Sequence, residues 1–298
     1  MDYFGIIKKA YEVTTRHKFL WIFGILAGGY GGFKSMNFNF GNYSGNGSEW
    51  QKSLESFNWT NFWTIWGSLI VTLIVIFFAL GIVMFILSII SQGALVGSVD
   101  KLSRGTKSDF RDGFKTGAHQ FWRILGVMIL YFLMILASLF VWLGPLIVAI
   151  MTKVYFLAII WGILLFFVDL AFWVLIGLIS PYSLRFIVLE KYGVWQSIRE
   201  SLHFFRDNWK EVVVIFLLLM ATSIAFGIAL TLAVLLAGGV LLAIGFGIFL
   251  ASQLTAIIYG VSVSLVFFVA LLVIAGAYNS FYSSALTLTY NHLSKKSS

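Results

Sequence analysis

At Val212 the polar residues of this chain stop and an unbroken apolar run begins. The stretch just before it, Gly193 to Lys210, is patterned differently. Val194, Ile198, Leu202, Phe205 and Trp209 recur at the spacing of one helix face, while Arg199, Glu200, Arg206, Asp207 and Lys210 lie off it. A helix lying in the plane of a membrane surface that feeds straight into a crossing helix has this signature.

Two earlier junctions read the same way. In residues 1–18, Phe4, Ile7 and Tyr11 share a face, with Ile6 and Ala10 beside them, and the apolar Phe19–Phe33 follows. Asp100–Trp122 carries Lys101, Arg104, Lys107, Arg111 and Lys115 around a stripe of Phe110, Phe114, Gly117 and Phe121. It leads into a span from Ile124 to about Ala149. Trp21, Trp122 and Trp209 stand at or near the start of these three spans. The second spans end in SQGALVGSVDKLSRG, SPYSLRFIVLEKYG and FYSSALTLTYNHLSK, which resemble one another. The pattern predicts three units, roughly 1–100, 101–192 and 193–298, each an in-plane helix, a span, an outer turn and a long span. The expected fold is all-α: one integral membrane domain, a polytopic transmembrane bundle of about six spans in three repeated hairpins. The hairpins would pack about a pseudo-threefold axis or in a bundle.

Composition agrees. Hydrophobic residues make up 60% and charged residues 11%, against roughly 25% charged in a soluble domain. About six spans with short connections use up 298 residues, leaving no separate catalytic domain. The net charge of +8 follows the positive-inside rule and does not call for nucleic acid. Cysteine is absent, which excludes disulfides, thiol catalysis and thiolate metal sites. The 18 residues before the first apolar run, with Glu12 and an apolar face, do not suit a cleaved signal peptide.

The run Phe62–Val99 is nearly twice the length a crossing needs and reads as a long helix protruding into the cytoplasm. Pro145 permits a kink near the outer end of the third span, and Lys153 marks a brief outer turn. Val154–Glu190 is expected to bend or break at Ser180-Pro181. Val212–Leu236 reads as the fifth span and Gly238-Gly239 as a turn or weak point. Val240–Leu293 suits one long span after a partial helix, or two spans. Basic residues at both ends favour cytoplasmic termini in the cell membrane and hence an even count, six preferred over eight. All Lys and Arg except Lys34, Lys52 and Lys153 then face the cytoplasm. The polar loop Lys34–Asn61 holds three glycosylation sequons, at Asn42, Asn46 and Asn58.

Pro181–Leu218, PYSLRFIVLEKYGVWQSIRESLHFFRDNWKEVVVIFLL, resembles a signature of the membrane domain of some glycerophosphoryl diester phosphodiesterases. It is also similar to related uncharacterised polytopic proteins of bacteria and archaea. Pro181 at a helix exit, Glu190 ahead of a glycine, Ser201 and Trp209 carry the likeness, and LWIFGIL and FRDGFKTGAHQFWRIL fit its style. The resemblance implies a multi-span membrane module of largely unassigned role. The phosphodiesterase domain itself has no counterpart here, so no enzymatic activity is carried over.

The chemistry-bearing residues are few. Asp169 lies in GILLFFVDLAFWVLIGL, where a mid-span charge costs roughly 2.5–3.5 kcal/mol; only Lys153 and Arg185, at the two ends of that run, are available to reach toward it. It reads either as a proton or cation site in a polar cavity or as a neutral carboxyl bonded to a neighbouring helix. Gln92, Gln253, Ser262, Ser264, Asn279 and Ser280 are further intramembrane polar candidates, equally suited to helix–helix hydrogen bonds. Gly24, Gly28 and Gly32 recur every fourth residue, a spacing for close helix packing within or between copies of the chain. The four histidines are isolated near the membrane faces, and no metal set, cofactor motif or nucleophile–base pair is visible. The basic residues Lys101, Arg104, Lys107, Arg111, Lys115, Arg199, Arg206 and Lys210 suit anionic head groups, or set topology alone.

The function expected is therefore a non-enzymatic module that engages or organises membrane lipid. The alternative is a channel or transporter with a polar cavity near Asp169. Expected partners are membrane lipids and a second copy of the chain or another membrane protein; no cofactor, metal or nucleic acid is called for.

Overall fold

The computed structural model describes residues 2–35, 59–153 and 155–294. Within them the chain is all-helical, as expected, and contains no strand. The helices are α1 (Tyr3–Arg16), α2 (Phe19–Ser35), α3 (Trp59–Ser103), α4 (Phe110–His119), α5 (Phe121–Met151), α6 (Tyr155–Leu189), α7 (Val194–Asp207), α8 (Trp209–Ala251) and α9 (Gln253–Ser294). Asn42, Asn46 and Asn58, together with Lys52, Lys295 and Lys296, lie outside the described residues. Five helices, α3, α5, α6, α8 and α9, are long and apolar enough to cross a membrane, and Phe19–Gly28 of α2 is a shorter apolar segment.

The joints between helices have local causes. α3 stops because Gly105 takes a left-handed φ of 77°. Its N–H then bonds Leu102 O at 3.1 Å and that of Thr106 bonds Lys101 O at 3.0 Å, the paired closure of a Schellman end. The expected in-plane helix Asp100–Trp122 is therefore shorter. Lys101 belongs to the end of α3, Arg104 and Lys107 to the connection, and only Arg111 and Lys115 to α4. Lys153, with φ 59°, turns the chain between α5 and α6, and Lys191, with φ 60°, follows the end of α6.

Two expected interruptions do not occur. α6 runs unbroken through Ser180-Pro181, and α8 runs through Gly238-Gly239 to Ala251. Where no water competes for backbone groups, a helix keeps its own hydrogen bonds across residues that would end it in solution. The turn falls instead at Ser252, so Gln253–Ser294 is one helix of 42 residues.

Burial divides the long helices in two. α3 has 45 residues, about 67 Å of helix against about 30 Å of bilayer hydrocarbon. Every residue from Val71 to Ile86 is exposed in the isolated chain, whereas Ser88–Ser91 and Gly93–Val99 are buried. The other long helices also have an exposed apolar half and a packed half, the packed parts centring on Ile176–Val188, Val212–Leu219 and Gly276–Leu293.

At the packed end α3, α6 and α9 touch one another. α4 packs on α3, α7 on α6 and α1 on α9, while α2 lies against both α3 and α9. Glycines permit the closest approaches. A methyl at Gly24 would overlap the carbonyl of Gly276, one at Gly28 the Asn279 amide, and one at Gly117 the carbonyl of Ile90. Gly24 and Gly28 thus serve contacts within the chain; Gly32 falls at the end of α2, outside the residues whose surroundings are described.

The short helices present faces other than the ones their spacing suggested. α1 buries Ile6, Ala10 and Val13, leaving Phe4 and Tyr11 exposed. α7 buries Ser197, Ile198, Ser201 and Phe204 and leaves Trp195 and Leu202 exposed. Each helix bears apolar residues on two sides, and the side rich in small residues is the one that packs. Periodicity alone ranks the bulkier side first.

Candidate functional site

Pro181 offers no N–H to the carbonyl of Gly177, one turn earlier on α6. One turn later on the same helix stands Arg185, only 3% exposed. Its Nη1 donates to Pro181 O at 2.5 Å, and its Nη2 to Ser283 O at 3.2 Å and Ser283 Oγ at 3.4 Å on α9. Its Nε has no partner. No carboxylate pairs with Arg185 among the described residues.

Arg185 lines an open-sided cavity of about 520 Å³ whose walls are residues of α2, α3, α5, α6 and α9. Gln92, Ser180, Asn279, Tyr282 and Ser283 give it a polar side; Ile124, Val127, Ile135, Trp173 and Leu184 give it an apolar one. Asn279 is fixed by donating to Gly24 O at 3.2 Å. Beside it, Ser280 Oγ donates to Leu20 O at 2.7 Å. Two of the intramembrane polar candidates, Gln92 and Asn279, are thus brought together here.

A hydroxyl chain supports the cavity wall. Tyr131 on α5 bonds Ser183 on α6 at 2.7 Å, and Ser183 bonds Ser201 on α7 at 2.7 Å. Ser201 in turn donates to Ile198 O at 2.8 Å. Buried hydroxyls that satisfy one another hold three helices in register without leaving a desolvated group unmatched.

The remaining candidates lie elsewhere. Asp169 is half-buried in the largely exposed first half of α6, has no partner among the described residues and does not line the cavity. Arg185 is sixteen residues further along the same helix, about 24 Å, so it cannot neutralise Asp169. Gln253 opens α9 at the turn after Ser252, is exposed, and does not line the cavity.

A second concavity lies on the outer side of α7. Arg199, Leu202, His203, Phe205, Arg206 and Trp209 enclose a groove of about 580 Å³, and Lys210 Nζ sits 5.7 Å from the Trp209 ring centroid. Arg199 and Arg206 are exposed there beside apolar surface. Of the other basic candidates, Arg104 pairs with Asp100 at 3.0 Å, and Arg111 and Lys115 are exposed on α4. No group of three or more metal-ligating side chains occurs among the described residues.

Arg185 was legible in the sequence only as a cation at the end of an apolar run, where topology accounted for it. The better signal was its place one turn after Pro181, in a helix end rich in serine.

Over the described residues the architecture is of the all-helical class, with five helices long and apolar enough to cross a bilayer. Within that class the chain belongs to a family of unknown function (DUF7544), which it matches over residues 16–290. No curated protein and no solved structure matches it.

Proposed function

We propose that this chain is a non-enzymatic membrane module that engages lipid, its short helices resting on the cytoplasmic leaflet and both termini on that side. The groove of α7 carries the reading. Two arginines and a histidine there flank Leu202, Phe205 and Trp209, so one surface offers cations to head groups and apolar contact to acyl chains. Trp122 and Trp195, 78% and 74% exposed, add the aromatic residues typical of that depth.

In this reading α2 joins the five longer helices as a sixth crossing, and the chain forms three hairpins, α2–α3, α5–α6 and α8–α9. Each hairpin is introduced by a short helix, and each short helix packs on the last helix of the unit before it, with α1 closing on α9. That cyclic order supports a pseudo-threefold repeat. The likeness of Pro181–Leu218 to the phosphodiesterase-associated membrane domain belongs to the same proposal. The alternative of a channel or transporter built on Asp169 draws no support from the 520 Å³ cavity, which that residue does not line.

The absence of cysteine makes the test clean. Single cysteines replacing Leu202, Arg111 and Lys153 are spin-labelled in vesicles of phosphatidylcholine with phosphatidylglycerol. The label at 202 should sit at the head-group boundary, with 111 on the same side and 153 on the other. A label at 202 freely accessible to an aqueous quencher, or 111 and 202 on opposite sides, would overturn the proposal.

A further inference from the structure

The Arg185 cavity carries an inference that rests on the lipid reading and goes deeper than the surface groove. A guanidinium has five N–H donors and stays charged at any ordinary pH. Here it meets three acceptor contacts, all of them neutral carbonyl or hydroxyl oxygens, and its Nε meets none. Neutral dipoles solvate part of the ion but cancel none of its charge, and a buried cation without a counter-charge is strongly disfavoured. The nearest acid along its own helix, Glu190, is at the exposed end and accepts from Tyr290 at 3.4 Å.

The space beside Arg185 is larger than a few waters need. A single water needs about 10–15 Å³ of such space and the cavity offers about 520 Å³, yet much of the wall is apolar. Filling it with water would wet Ile124, Val127 and Ile135; a small hydrophilic anion would do the same. The Gln92 amide and the Tyr282 hydroxyl, which line the same cavity as the guanidinium, can donate to an oxyanion. Away from it the cavity runs along the α5–α6 seam to Phe132, which is 58% exposed. A cationic, donor-rich end and an apolar end open to the lipid-facing surface describe one kind of occupant.

We infer that this cavity binds an anionic amphiphile, a carboxylate or phosphate carried on an acyl chain, with the oxyanion on Arg185 and the chain along the α5–α6 seam toward Phe132. The two sources of that chemistry are a fatty acid and an anionic phospholipid.

The test uses the full chain purified in detergent, stripped of lipid, and titrated separately with palmitate, phosphatidylglycerol and inorganic phosphate. Bound mass is read by native mass spectrometry and stabilisation by thermal unfolding. Palmitate or phosphatidylglycerol should bind at one ligand per chain and raise Tm, and whichever does so identifies the source. Arg185→Gln should weaken that binding at least tenfold, and Arg185→Lys less. Ile135→Trp, which leaves the cation in place and fills the apolar end, should weaken it too, and keeps the test decisive should Arg185→Gln fail to fold. Phe77→Leu, on the exposed half of α3 and lining neither the cavity nor the groove, should leave it unchanged. Failure of all three probes to bind wild type, binding unaffected by both Arg185→Gln and Ile135→Trp, or equal stabilisation by inorganic phosphate would overturn the inference. None of these results would move the label at position 202, so the surface reading stands or falls separately.

Discussion

The two ends of α3 are made of similar residues and meet opposite fates. From Val71 to Ile86 no residue is buried; from Gly93 to Val99 every residue is. Hydrophobicity does not separate them, since lipid tails solvate leucine as well as another helix does. What separates them is size and hydrogen bonding. The packed half holds Gly93 and Gly97, which face Gly117 and Thr116 of α4, and Ser88, whose Oγ donates to Ala27 O of α2 at 3.4 Å. The same contrast holds in α9, whose packed end buries Ser280, Ser284, Thr287 and Thr289. In the packed ends of α3 and α9, small and hydroxylic residues let the helices meet alongside the large side chains they bury.

The sharpest way to break this comparison is a pair of glycine substitutions. Gly117→Leu places a side chain against the carbonyl of Ile90 and should cost about 3 kcal/mol or more, seen as loss of the monodisperse peak in detergent chromatography. Gly239→Leu, with no atom within 4 Å of its added Cβ, should stay within about 0.5 kcal/mol of wild type. Equal losses at both sites would refute the division.

Next in size is Leu20→Ala, at a fully buried side chain on α2. It should destabilise by about 2–5 kcal/mol in thermal or denaturant unfolding. Ser280→Ala deletes the bond to Leu20 O and should cost about 1 kcal/mol, measured the same way; no loss would mean that the hydroxyls only fill space. The smallest effect belongs to Phe77→Leu on the bare half, 69% exposed, which should change stability by less than about 0.5 kcal/mol.

Much of this was readable beforehand, and the misses share a cause. The short helices, the Lys153 turn and the all-helical character follow from periodicity and charge, which report where water is. Which face of α1 or α7 packs does not follow, because Phe4, Tyr11 and Leu202 are as apolar as Ile6 or Ile198. The close approach of Gly93 to Gly117 joins two small residues visible in the sequence, but pairing them needs the fold. Pro181 and Gly238-Gly239 misled for a different reason: rules learned in water overstate what breaks a helix in lipid. For the candidate site, Gln92 and Asn279 were legible as polar residues in apolar runs. Their meeting at Arg185 depends on crossings between segments far apart in sequence.

The latch of α1 onto α9 has a temporal consequence. Thr14 reaches Ser284 across 270 residues of chain, and α2 likewise leans on α9. At about 5–20 residues per second of synthesis, the earliest helices wait on the order of ten to fifty seconds for the neighbour that completes their packing. Through that interval the glycine notch at Gly24 stands without the Gly276 carbonyl that later fills it, and the packing of α1 and α2 is completed only when α9 arrives.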